Sequence, residues 1–100
     1  PYYMHRLGHW MGLDVHDCGS CLKGKRSHRF EAGNVLTVEP GIYIGPDTKP
    51  AKGQPTIKKR WRGIGVRIED DVLVTDGDPE VLTSALASDV ADVEALVRGG

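Results

Sequence analysis

Asn34-Val-Leu-Thr-Val-Glu-Pro-Gly-Ile-Tyr-Ile44 decides the fold. Its first half is β-branched and apolar and ends in a carboxylate, Pro40-Gly41 marks a turn, and Gly41-Ile-Tyr-Ile44 resumes as a second short strand. A second run of the same kind, Gly63-Ile-Gly-Val-Arg-Ile-Glu69, again ends in a carboxylate after apolar positions. Burying an ionised carboxylate without a partner costs several kcal/mol, so Glu39 and Glu69 each require a cation nearby. Side chains alternate along a strand, which puts Val35, Thr37 and Glu39 on one face and pairs Arg67 with Glu69 on another. Taken singly, an Arg67–Glu69 ion pair and a water-exposed Glu39 at a strand end account for these residues.

Outward from this pair the pattern is that of a small α+β unit. Residues 1–17 mix aromatics, glycines and histidines and predict short extended pieces and turns, and residues 18–33 are polar and predict a loop. Residues 45–63 carry Pro46, Pro50, Pro55 and a cluster of lysines, a composition that builds no core and reads as an excursion between strands. After Glu69, Asp70-Asp71 predicts a tight acidic turn leading to a strand at Val72–Thr75, closing a hairpin. Val81–Thr83 is expected as an edge strand. Ser88 or Asp89 is the expected N-cap of a closing helix whose Val90, Val93, Leu96 and Val97 recur at helical spacing.

The chain of 100 residues has 39% apolar and 27% charged content, enough for one domain over residues 1–100 and no second. Thirteen basic and 14 acidic residues leave a net charge of -1, so neither nucleic acid nor an anionic membrane is an expected partner. Lys58, Lys59, Arg60 and Arg62 read as a solvated loop. No apolar stretch reaches the length of a membrane span, and the default expectation is a cytoplasmic protein. The Pro1-Tyr2-Tyr3 opening reads as the start of a fragment with sequence upstream of it. Cys18 and Cys21 form a lone C-x-x-C without a second ligand pair, and read as two thiols of a surface loop rather than a zinc or redox site.

Three of the four histidines, His5, His9 and His16, lie within His-Arg-Leu-Gly-His-Trp-Met-Gly-Leu-Asp-Val-His-Asp17. His5 and His9 have the spacing of a zinc-protease helix, but Arg6 follows His5 and Gly8 weakens a helix, so that reading is poor. Three imidazoles with two strand carboxylates instead favour a mixed nitrogen and oxygen site for Mn(II), Co(II) or Zn(II), as in paired-metal hydrolases.

The segments His5–Asp17, Val38–Tyr43 and Gly63–Asp71, in that order, resemble the second half of the Xaa-Pro aminopeptidases (aminopeptidase P). The match runs over about residues 2–75. The resemblance implies the C-terminal half of a pita-bread fold, mostly antiparallel curved sheet with a C-terminal helix. It implies two divalent ions, Mn2+ foremost with Co2+ or Zn2+ as options, held in part by His9, Glu39 and Glu69, the last bridging both ions. It also implies catalytic roles for His5, His16 and Glu39, with Glu39 moving the proton. Peptide with proline in second position is the implied substrate, His5 and His16 contacting it and Tyr43 and Arg67 orienting the groups around it. Two aspartates that complete the family's site have no counterpart here, so residues 1–100 alone are expected to be inactive and to bind metal weakly, and the full-length parent is expected to be a homo-oligomer. A dipeptide-specific prolidase shares these motifs. A metal-free hydrolase of the creatinase kind would not need both carboxylates, and a dead binding module would be expected to have lost a ligand.

Overall fold

The two carboxylate-ending runs lie side by side in the computed structural model, which describes residues 2–20, 22–24 and 26–99. In chain order the strands are β1 (Trp10–Met11), β2 (Leu22–Lys23), β3 (Arg26–Ser27), β4 (Val35–Val38), β5 (Gly41–Ile44), β6 (Ile64–Arg67), β7 (Asp70–Leu73) and β8 (Glu80–Val81), and a helix α1 (Val90–Val97) follows them. β4 pairs antiparallel with β7 from Val35↔Leu73 to Val38↔Asp70, and β5 pairs with β6 from Gly41↔Arg67 to Ile44↔Ile64. The offset is the same in both ladders, and the Ile68 N–H donates to Pro40 O at 3.1 Å between them. Residues 35–44 and 64–73 are therefore one two-stranded ribbon, interrupted where Pro40 has no N–H to give.

This register corrects the expected hairpin across Asp70-Asp71. Asp70 and Asp71 open β7 and pair with Val38 and Thr37, while the residues before them pair with β5. The true connection of the ribbon is the excursion 45–63. Its ends are tied by Gly63 N–H to Ile44 O at 2.7 Å, and by Arg62 Nη1, which donates to Pro46 O at 2.6 Å and to Thr48 O at 3.0 Å. Lys58, Lys59 and Arg60 are exposed as expected, but Arg62 is half-buried and belongs to this clasp.

On the other side of β4 runs β1, paired Trp10↔Leu36 and Met11↔Val35, and β8 pairs with β7, giving the sheet order β1-β4-β7-β8. The ladder between β1 and β4 extends past both strands, through Thr37 N–H to His9 O at 2.9 Å and Glu39 N–H to Leu7 O at 2.7 Å. Three extended segments, 7–11, 35–44 and 64–73, thus lie edge to edge with 35–44 in the middle. The loop expected over 18–33 contains a small antiparallel pair, β2 with β3. Cys18 in that loop is an exposed free thiol, and Cys21 lies outside the described residues.

The helix begins after Asp89, as expected, although the Asp89 side chain makes no capping hydrogen bond. Its apolar positions stay open, with Val90 72%, Leu96 69% and Val97 81% exposed. Among the described residues no hydrophobic side chain is buried, and the buried polar ones are Thr37 and Glu39. The accessible surface is 8501 Å², against about 5,600 Å² for a compact chain of this mass. The radius of gyration is 17.4 Å, against about 13 Å for a compact unit of this length. The sheet is laid out around a buried polar site, with much of its apolar surface uncovered.

Candidate metal centre

Alternation along 35–44 turns Thr37 and Glu39 to one face, and the common register brings Glu69 beside Glu39. His9 reaches the same place from the neighbouring segment. One ligand atom each from His9, Glu39 and Glu69 falls within 4.8 Å of the others, and His9 Nε2 stands 3.5 Å from Glu39 Oε1. His9 Nδ1 lies 3.1 Å from Trp10 O, and since a carbonyl only accepts, Nδ1 carries the proton. In the neutral ring the Nε2 lone pair is then left facing the carboxylates, as a metal ligand requires.

Glu39 is gripped at both oxygens. Thr37 Oγ1 donates to Oε1 at 3.0 Å and Arg67 Nη1 donates to Oε2 at 2.5 Å. Burial by itself pushes this carboxyl up. The Thr37 hydrogen bond and the charge of Arg67, joined by His9 and His5 when their rings are protonated, outweigh it, so Glu39 stays below the usual carboxylate range. Arg67 also donates from Nε to the Tyr43 hydroxyl at 2.6 Å. That bond, more than the charges of Glu39 and Glu69, keeps the guanidinium firmly protonated against its own desolvation. The possible Arg67–Glu69 pair is replaced by Arg67–Glu39, because the partner that matters is across the ribbon rather than two residues along it.

The remaining expected residues adjoin this group. His16 is exposed and stacks edge-on against His9, with centroids 4.4 Å apart at 75°. His5 meets Tyr43 edge-on at 5.4 Å and 78°, and its Nδ1 is committed to Arg6 O at 2.6 Å. Its Nε2 is buried and has no hydrogen-bond partner among the described residues. Gly41 makes that arrangement possible, since a Cβ there would lie 2.9 Å from His5 Nε2 and 2.8 Å from the Tyr43 ring. His5, His9, His16, Glu39, Tyr43, Arg67 and Glu69 thus form one contiguous cluster. Neither His5 nor His9 is helical, in line with the poor fit to a zinc-protease helix.

The donor set fits divalent cations. Two carboxylates face a single guanidinium whose side chain is 41% exposed, leaving negative charge for a cation to balance. Nitrogen and oxygen ligands sit about 2.0–2.2 Å from zinc-like ions, so three ligand atoms within 4.8 Å of one another suit a site for a divalent ion. Thr37, not expected as a site residue, is its most buried member at 2% exposure. The signal was present in its position two residues before Glu39 on the same face.

The chain is similar to known proteins in both sequence and fold. The chain is 47% identical over 97 residues to an Xaa-Pro aminopeptidase of Haemophilus influenzae, covering 97% of this chain and 21% of that protein. It is 46% identical over 98 residues to the Xaa-Pro aminopeptidase of Escherichia coli K12, covering 97% and 20%. The chain therefore spans about a fifth of the length of these curated relatives. Among solved structures, aminopeptidase PepP of Pseudomonas aeruginosa superposes with a TM-score of 0.81 at 52% identity, over 97% of this chain and 21% of that one. Aminopeptidase P of E. coli with the inhibitor Pro-Leu superposes with a TM-score of 0.80 at 45% identity, over 98% and 20%. These neighbours give the fold as the aminopeptidase P, or pita-bread, type, here as antiparallel strands followed by one helix. The model of metallopeptidase family M24 matches residues 1–76, which hold His9, Glu39 and Glu69 and the strands that bring them together, and the chain belongs to that family.

Proposed function

We propose that this chain contributes His9, Glu39 and Glu69 to the paired-metal site of an aminopeptidase that removes the first residue from peptides with proline in second position. The observation that carries this reading is the convergence of those three ligand atoms, within 4.8 Å, from three adjacent extended segments. Relatives named Xaa-Pro aminopeptidase, matched along nearly the whole chain, support the substrate class. Glu69, placed beside Glu39, is the residue for a bridging position, and Mn(II) is the ion we favour, with Co(II) and Zn(II) accommodated by the same donors. Divalent ions held there supply two things: an acidified water and polarisation of the peptide carbonyl.

The chain's own residues do the rest. Glu39 is kept ionised by Thr37 and Arg67, so a carboxylate stands ready to take a proton from the attacking water and return it to the departing amine. Its free lone pairs are few, because each oxygen already accepts one hydrogen bond, and this fixes the direction from which a proton is received. His16, beside His9 at the exposed side, is placed to hold the substrate backbone, and His5, edge-on against Tyr43, borders the same group of residues. Arg67 and Tyr43 keep Glu39 and the His5 ring in place.

We further propose that the catalytic unit includes two aspartates from outside residues 1–100, and that these residues alone are inactive. The uncovered apolar surface and the one-fifth coverage of the relatives support this. The test is release of the N-terminal residue from Xaa-Pro peptides by the full-length protein. Activity is expected to vanish on chelation and in Glu69→Ala. Full activity after exhaustive removal of metal would overturn the proposal.

A further inference from the structure

Thr37 is the most buried side chain in the site, yet it carries no charge and offers no strong metal ligand. What distinguishes it is its connectivity. Its hydroxyl accepts the main-chain N–H of His9 at 3.0 Å, and donates to Glu39 Oε1 at 3.0 Å. A hydroxyl has one proton, and an N–H can only donate, so the direction of the second bond follows: the Thr37 proton goes to the carboxylate. The backbone of one ligand residue is thus connected through a single oxygen atom to the carboxylate of another.

The surroundings hold this link rigid. Thr37 N–H donates in turn to His9 O at 2.9 Å, so the two residues are joined twice. A Cβ on Gly8 would lie 1.8 Å from Thr37 O, which means that the absence of a side chain there is what lets the His9 segment come so close. At the other oxygen of Glu39, Arg67 provides the second donor. With one donor on each oxygen the carboxylate plane cannot rotate freely, and Oε1 is the oxygen left turned toward His9 Nε2, 3.5 Å away.

We propose that Thr37 is a positioning residue for the metal site: its hydroxyl sets the spacing and orientation of Glu39 relative to His9 so that both address the same ion. The proposal rests on the metallopeptidase reading of the cluster. It assigns to Thr37 no contact with substrate and no part in proton transfer. Groups that hold metal ligands from behind typically change affinity or activity by about 10- to 100-fold when removed.

The experiment compares Thr37→Val, Thr37→Ser and Glu69→Ala in the full-length protein, with Mn(II) binding followed by calorimetry and Co(II) binding by its visible absorption. Thr37→Val is expected to weaken Mn(II) binding by about 10- to 100-fold and to alter the Co(II) bands, while Thr37→Ser returns both to within a few-fold of the parent. Should Thr37→Val fail to fold, Thr37→Cys, similar in volume but a much weaker donor, takes its place and is expected to show the same loss. Parent-like Mn(II) affinity and Co(II) bands in the hydroxyl-free variant, or a serine variant no better than it, would overturn the proposal. If those results coincide with loss of binding in Glu69→Ala, the metal site stands and only the role of Thr37 falls. If Glu69→Ala also binds Mn(II) like the parent, the metallopeptidase reading falls with it.

Discussion

Gly41→Ala makes the sharpest demand on the site as described. The added methyl would lie 2.8 Å from Tyr43 Cε2, 2.9 Å from His5 Nε2 and 2.9 Å from the Tyr43 hydroxyl. Carbon atoms settle at about 3.5–4.0 Å from their neighbours, so Tyr43 and His5 must each retreat by roughly 1 Å. Both are ends of side chains, so the backbone survives and the stability cost stays within the usual 1–3 kcal/mol or so for an overpacked position. The functional cost is larger. Moving the Tyr43 hydroxyl breaks its 2.6 Å bond from Arg67 Nε and loosens the guanidinium that holds Glu39. A displacement of about 1 Å near reacting groups costs on the order of 100-fold in rate, equivalent to about 2.7 kcal/mol of barrier. The assay is kcat/KM for an Xaa-Pro peptide in the full-length protein, with bound metal quantified in parallel. We expect a fall of about 100-fold, because the methyl's nearest neighbours are the Tyr43 ring and hydroxyl and His5 Nε2. Gly77→Ala, whose Cβ would meet only Thr75 Oγ1 at 3.9 Å, is the control and should leave the rate alone. Parent-like activity in Gly41→Ala would refute the claim that Tyr43 and His5 are held where the reaction needs them.

Other outcomes follow from the same geometry. Arg67→Met removes the guanidinium charge from Glu39, so burial is opposed less and the carboxyl titrates at higher pH, which carbon-13 NMR of the metal-free protein would register. The sign for stability is fixed by the lowered value of Glu39 in the folded state. Its contribution is complete above the ordinary carboxylate range and is lost as pH falls through the lowered value, so Arg67→Met should begin to lose stability at higher pH than the parent in acid unfolding. Glu69→Ala is expected to abolish Mn(II) binding at this site and turnover with it, read by calorimetry and peptide hydrolysis. Residues 1–100 expressed alone, with no hydrophobic side chain buried among the described residues, should unfold without a cooperative transition, bind hydrophobic dyes and hold Mn(II) weakly.

The candidate ligand residues stood out in the sequence because each breaks a rule of its neighbourhood. Glu39 and Glu69 end apolar strand runs where a lone charge is costly, and His9 lies in a segment that concentrates three of the four histidines. The ribbon that unites them was only half legible. Asp70-Asp71 has the composition of a turn, and its pairing with Thr37 and Val38 depends on residues more than 30 positions earlier, beyond any local signal. The same holds for Arg67: its spacing from Glu69 suggested a partner along the strand, whereas the register offers Glu39 across it. Thr37 shared a face with Glu39 in the alternation pattern, but its bond to the His9 main chain required the edge-to-edge approach of the His9 segment. The small β2–β3 pair within residues 18–33 has no apolar alternation to announce it.

The central claim is that His9, Glu39 and Glu69 hold divalent ions in common. The direct measurement is anomalous diffraction at the manganese edge from crystals of the full-length protein equilibrated with Mn(II). The account predicts anomalous peaks at bonding distance from His9 Nε2 and from carboxylate oxygens of both Glu39 and Glu69, and their disappearance in Glu69→Ala. Manganese bound elsewhere in the protein, with these three side chains uncoordinated, would contradict it.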